Sequence, residues 1–217
     1  MKNIILLAIA ILLLSGCSFK TPDNSWQLKS SSAFESYKKN FLYGYDRLAS
    51  NDLQSAVAHA KMGADFTTLA RVYLGACALN ISVGIQDECK NYKALSNLVE
   101  DQKLNAYHAF ITSSLETKQI QHLPAIYQKF ALSILKSDQK SANEELIKMD
   151  TITSQLLSAA IIKEKLSKTT IQSIIKSASF YGYKRAVIYW LKILKDRTTD
   201  TDEKKIINKK LSVLESV

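Results

Sequence analysis

The sequence predicts an all-α protein, and three observations carry that prediction. The chain has 217 residues but only 2 prolines and 6 glycines, too few breakers for a many-turned β-structure. Apolar residues recur at three- and four-residue steps along most of the chain, the period of one helix face. Between these stretches stand Asp, Asn, Ser, Thr or Gly, residues that start and stop helices. Hydrophobic residues make up 47%, enough for a sizeable core in one large domain or a short repeat array.

The first stretch lies outside this pattern. Lys2 supplies a positive charge, and Ile4 to Leu14 is an unbroken apolar run of eleven residues. A permanent span needs roughly 20 such residues, so the run reads as a secretory leader. It ends in Leu14-Ser15-Gly16-Cys17. This tetrapeptide resembles the lipobox of bacterial lipoproteins. The resemblance implies cleavage of residues 1–16, lipidation of Cys17, palmitate among its acyl chains, and attachment to a membrane. Ser18, rather than Asp, follows the cysteine. By the sorting rule of enteric lipoproteins, that implies the outer membrane, facing the periplasm. More than one acyl chain gives stable anchoring.

Residues 17–31 are polar, with Pro22, Asp23 and Asn24, and read as a flexible tether to a single helical domain at 32–217. Within the tether, Trp26 is expected to touch either the membrane interface or the first helix, with docking on the helix the favoured option. Ser32 and Glu35 have capping-box spacing and predict a helix over 32–49 carrying Phe34, Tyr37, Phe41, Leu42, Tyr45 and Leu48. A second helix is expected from Asn51-Asp52 to a stop at Gly63. A third begins at Asp65 and carries Phe66, Leu69, Ala70, Tyr73, Ala76 and Cys77. A fourth opens at Asp87, with Cys89, Tyr92, Leu95 and Val99.

Further helices are expected over 101–115, after Pro124, and over 141–149, 151–166, 169–180, 183–195 and 202–214. Short helices and short links suggest stacked antiparallel pairs. Ala56-Val57-Ala58-His59-Ala60-Lys61 with Leu69-Ala70-Arg71-Val72-Tyr73-Leu74-Gly75 resembles tetratricopeptide or Sel1-type repeats. So does Ala178 to Leu194, with Gly182, Ala186, Tyr189 and Trp190. The resemblance implies a repeat-like stack with a concave binding face. No steady period of about 34–36 residues recurs, so an irregular helical bundle is the other architecture open to the chain.

Two cysteines remain once Cys17 is assigned to lipid. An even pair in an oxidising compartment predicts a disulfide between Cys77 and Cys89. The link around Ser82-Val83-Gly84 reverses the chain and would bring them together. The alternative is two buried thiols packing as small apolar side chains.

The chain shows no clustered chemistry. His59, His108 and His122 form no metal-spaced pair, so no metal or cofactor is expected. There is no G-x-S-x-G, phosphate-binding glycine loop or H-E-x-x-H. Glu35-Ser36 resembles the Glu-Ser dipeptide of lytic transglycosylases, but the later motifs of that family are absent, and the capping box accounts for Glu35.

The net charge is +9, or +8 once Lys2 is removed with the leader. From Lys163 onward, 13 basic and 6 acidic side chains give +7. Lys184, Arg185, Lys192, Lys195, Arg197, Lys204, Lys205, Lys209 and Lys210 therefore form a candidate face for anionic lipid, lipopolysaccharide or peptidoglycan. Nucleic acid is not an expected partner beyond a membrane. The expectation is a non-enzymatic helical scaffold holding an envelope protein, the alternative being a cell-wall enzyme or a peptidoglycan-binding module.

Overall fold

A computed structural model describes residues 24–216. Among these residues there are eleven α-helices, three short 3-10 turns and no strand. No described helix is long and apolar enough to cross a membrane. Cys17 and the expected cleavage before it lie outside the described residues.

The first helix, α1, spans Ser25–Tyr43, and α2 spans Asp46–Met62. Both depart from expectation. Ser32 lies on the exposed side within α1 rather than at its cap, and Glu35 pairs with Lys38 at 2.5 Å. Residues 25–31 of the expected tether are therefore helical. Trp26 does not lie on the first helix, to which it belongs; its ring packs over Gly63 at the end of α2. The break falls at Gly44, whose φ of +88° suits a residue without a Cβ. Gly44 N–H donates to the Phe41 carbonyl at 3.1 Å and Tyr45 N–H to the Asn40 carbonyl at 2.9 Å, the paired bonds of a Schellman stop.

The α1–α2 hairpin closes along alanines. Ala49, Ala56 and Ala60 are buried and let the two backbones approach. Ser30 Oγ donates to the Ala56 carbonyl at 2.8 Å, and Asn40 Nδ2 to Asp52 Oδ2 at 2.6 Å. The residue numbers rise on one helix as they fall on the other, so the pair is antiparallel.

Helix α3, Phe66–Ser82, is the centre of the domain. Asp65 caps it, accepting from the Thr68 N–H at 3.0 Å. Leu69, Ala70, Val72, Leu74, Ala76, Cys77, Ala78 and Leu79 are all buried, so the helix is apolar nearly all round. It touches α1, α2 and the helices α4 (Lys90–Lys93), α5 (Gln102–Ile111) and α8 (Ile152–Ile161). The fourth helix is far shorter than the spacing of Cys89, Tyr92, Leu95 and Val99 suggests. Asp87 accepts from the Cys89 N–H at 2.8 Å in a turn, and a 3-10 segment at Ser96–Leu98 follows α4.

Helices α6 (Ala125–Leu135) and α7 (Gln139–Ile147) form the next pair. Phe110 of α5 packs at 5.0 Å from the Tyr127 ring and edge-on to Phe130, and Tyr127 donates to Ser154 Oγ at 3.0 Å. The expected helix over 151–166 ends at Ile161, and a 3-10 turn takes Lys163–Lys165.

The last three helices are α9 (Lys168–Phe180), α10 (Lys184–Arg197) and α11 (Thr201–Glu215). Trp190 of α10 is fully buried. Helix α10 also packs on α1, and α3 on α8. These contacts join distant parts of the chain, while α1–α2, α6–α7, α9–α10 and α10–α11 pack as sequence neighbours.

Candidate functional site

Exposed or concave chemistry on this fold includes a cleft beside Cys77 and Cys89, an aromatic edge, and the basic residues of α10 and α11.

The cleft has a volume of about 1040 Å³ and lies where α1, α3, α8 and α10 meet the segment 84–93. Cys77 and Cys89 are joined there by a disulfide, with Cα atoms 5.3 Å apart, inside the 4.4–6.8 Å range such a bridge needs. Both cysteines are buried. Asn80 Nδ2 donates to the Asp87 carboxylate at 2.7 Å, so the turn is held from both sides of the bridge. The sulfurs and the Asp87 carboxylate lie within 4.8 Å of one another, a spacing that fits a metal ion. Bonded to each other, the sulfurs are not the thiolates that metal binding needs.

Tyr37, Tyr73 and Tyr189 line the same cleft. Burial pushes the Tyr37 phenol up to about 12, with Asp87 adding to the effect and Arg185 opposing it. Burial also raises Tyr189. Tyr37 and Tyr189 therefore stay neutral hydroxyls. Gly84 has a φ of +76° and sits against the Tyr189 ring, which ties the disulfide turn to α10.

The aromatic edge joins two turns. Ring centroids run from Tyr45 to Tyr43 at 5.7 Å, to Tyr183 at 5.7 Å, to Tyr181 at 5.7 Å and to Phe180 at 5.2 Å. Phe180 is 83% exposed, Tyr45 57% and Tyr181 48%. These rings form a run of exposed aromatic surface rather than isolated side chains. Arg185 underpins the edge. Its Nε donates to the Phe41 carbonyl at 2.7 Å, its guanidinium lies 4.4 Å from the Phe41 ring centre, and Asp46 pairs with it.

The nine basic residues singled out in the sequence do not form one free face. Arg185 is bound as just described. Arg197 donates to the carbonyls of Leu166 (3.1 Å) and Lys163 and pairs with Glu164 at 3.2 Å, tying α10 to the 3-10 turn. Lys192 pairs with Glu215 at 2.8 Å and Lys205 with Asp202 at 3.1 Å. Lys195 and Lys204 are half-buried, while Lys184, Lys209 and Lys210 are exposed. On α11 the exposed Ile206 and Val213 share one side with Lys209 and Lys210, at steps of three and four residues.

The histidines are dispersed. His59 lies on α2, His108 on α5 and His122 in the 3-10 turn Thr117–His122. His108 stacks on Tyr92 with centroids 4.9 Å apart, and its Nε2 is buried without a hydrogen-bond partner. Burial, and then the Lys93 charge, lower its pKa.

Sequence reading missed both the cleft and the edge. Gly44 and Gly182, flanked by Tyr43, Tyr45, Tyr181 and Tyr183, were the available signal for the edge: two glycine turns framed by tyrosines. Comparison with protein-family models, curated proteins and solved structures finds no match for the chain.

Proposed function

We propose that this chain is a bacterial envelope lipoprotein, anchored through Cys17 to the periplasmic side of the outer membrane, and that its helical domain is a docking scaffold rather than an enzyme. The leader ending in Leu14-Ser15-Gly16-Cys17 supports the location. The aromatic edge supports the docking role and carries the reading. Tyrosine and phenylalanine are among the side chains enriched at protein interfaces, and at this edge Phe180, Tyr181 and Tyr45 stand in solvent. Helix α1 has 19 residues and is therefore about 28 Å long. It holds the edge at the end opposite Ser25, away from the anchored end of the domain and open to a partner in the periplasm.

The test uses the full chain in cells. A photo-reactive phenylalanine at position 180 is expected to give one discrete protein adduct, and the same group at exposed Leu98 none. Tyr181→Ala is expected to weaken the adduct at 180. Cys17→Ser is expected to abolish acyl labelling and leave uncleaved precursor. Equal adducts from both positions would remove the edge as a docking surface. Release of muropeptides from purified sacculi would make the chain a cell-wall enzyme instead.

A further inference from the structure

Three tyrosines from distant helices meet in the cleft beside the disulfide: Tyr37 of α1, Tyr73 of α3 and Tyr189 of α10. A buried tyrosine usually spends its hydroxyl on a neighbour. Tyr92 donates to Asn105 Oδ1 at 2.9 Å and Tyr127 to Ser154 Oγ at 3.0 Å, whereas among the described residues the hydroxyls of Tyr37, Tyr73 and Tyr189 have no partner. Tyr37 is only 4% exposed. Its hydroxyl is not sealed from solvent as Trp190 Nε1 is, so it opens on the cleft it lines. The other two rings are held in place. Gly84 leaves room for the ring of Tyr189, and Cys77, one helical turn after Tyr73, is bonded to Cys89.

The charges around the cleft cancel. Lys90, Lys93 and Lys163 stand beside Asp87, Glu88 and Glu164, with Glu88 paired to Lys90 at 3.6 Å and Glu164 to Lys163 at 3.4 Å. Neither an anion nor a cation is therefore favoured. What remains is neutral: the three phenols, the exposed amides of Gln86 and Asn91, and the parts of the half-buried Tyr73 and Tyr189 rings that face the cleft. A hydrocarbon ligand would leave the Tyr37 hydroxyl buried without a partner, which is costly. A peptide would bring an N–H and a C=O at every residue, and no strand edge exists among the described residues to pair them. A sugar hydroxyl both donates and accepts, as a phenol does, and the C–H face of a pyranose packs on an aromatic ring.

We propose that this cleft binds a neutral saccharide, with the Tyr37 hydroxyl bonded to a sugar hydroxyl at its floor, a pyranose face against Tyr73 or Tyr189, and Gln86 and Asn91 at its rim. Its volume of about 1040 Å³ stands at the upper end of small-molecule sites, which run roughly from 300 to 1,000 Å³, and has room for more than one sugar ring. The site is separate from the aromatic edge and does not depend on protein docking there.

The experiment is titration calorimetry of the full chain in a zwitterionic, sugar-free detergent. The probes are the neutral oligosaccharides cellotetraose, maltotetraose and tetra-N-acetylchitotetraose, with tetraglycine as a peptide of similar length. At least one saccharide is expected to bind saturably, and the one that does identifies the sugar class. Tyr37→Phe removes the hydroxyl and keeps the ring, and is expected to weaken binding roughly tenfold. Tyr73→Phe and Tyr189→Phe are expected to weaken it about threefold each, and they carry the test if the Tyr37 variant misfolds, with helicity checked by circular dichroism. Tyr45→Phe and Tyr181→Phe, at the aromatic edge, are expected to leave binding unchanged. No saturable binding by any of the three saccharides would overturn the proposal. So would binding undiminished in the folded cleft variants, or binding lost in the edge variants. Tighter binding of tetraglycine would replace the saccharide with a peptide.

Discussion

The ring of Tyr189 occupies the space that a side chain at Gly84 would need. A Cβ built on Gly84 would lie 2.6 Å from Tyr189 Cζ, and the φ of +76° already disfavours any other residue. Gly84→Ala is therefore expected to cost about 2–4 kcal/mol, from overpacking and the left-handed backbone together. Adding Tyr189→Ala should remove the overlap and leave only the backbone cost of Gly84→Ala, about 1–2 kcal/mol. Urea unfolding of the two single variants and the double variant gives the coupling directly. Additive losses would mean that the two residues do not meet.

The disulfide is expected to stabilise the domain by about 3 kcal/mol, since it closes a short loop with its cysteines 12 residues apart. Cys77→Ala with Cys89→Ala should lower the urea midpoint by the corresponding amount, and reductant should then have no further effect. Tryptic peptides prepared without reductant should show Cys77 linked to Cys89. Two alkylatable thiols would contradict the bond.

Trp190 is completely buried, and its Nε1 has no hydrogen-bond partner. Trp190→Ala should cost about 3–5 kcal/mol. Trp190→Phe should cost much less, because it keeps most of the volume and removes the unpaired donor. Tyr73 is only half-buried at the cleft, so Tyr73→Ala should cost less than Trp190→Ala. Thermal unfolding monitored by circular dichroism ranks the three.

His108 gives stability a pH dependence of known sign. Its folded pKa is lowered from 6.5 by burial and then by Lys93. Between that lowered value and 6.5 the unfolded chain holds a proton that the folded chain does not. Stability should therefore fall as pH drops below 6.5, levelling off below the folded pKa. Tyr92 and Lys93 are the groups facing the ring. His108→Gln should flatten that part of the profile. An unchanged slope would move the effect elsewhere.

If the side of α11 bearing Ile206, Lys209, Lys210 and Val213 meets an anionic bilayer surface, each lysine should contribute about 1 kcal/mol. Reversal of Lys204, Lys205, Lys209 and Lys210 to Glu should abolish flotation with phosphatidylglycerol vesicles. The unaltered chain should lose flotation steeply with salt, since charges are screened within about 8 Å at physiological ionic strength. Unchanged flotation of the variant would leave these lysines as solvated surface.

The all-α class was legible because helix signals are local. Asp65, Asp101 and Asp200 accept from backbone N–H groups at the starts of α3, α5 and α11. Ser32 and Glu35 misled because the same i,i+3 spacing also occurs inside a helix, where Glu35 finds Lys38 instead. The break at Gly44 was visible as a glycine, but the apolar stripe runs past it without a change of period. Cys77 and Cys89 could be paired because so few residues separate them. The cleft and the aromatic edge were not legible, because each is assembled from far-apart segments. Tyr43 and Tyr183 meet from opposite parts of the domain's sequence, with seven other helices between α1 and α9, and nothing near either residue announces the other.

The contact between α1 and α10 also sets the order in which the domain closes. Arg185 binds the Phe41 carbonyl and covers the Phe41 ring from 144 residues away. Contacts across so long a loop must overcome its closure entropy before they contribute, whereas the α1–α2 hairpin closes across a short one. The hairpin is thus expected to form early and the seam between α1 and α10 late, so stopped-flow refolding of Arg185→Ala should change the unfolding rate more than the folding rate.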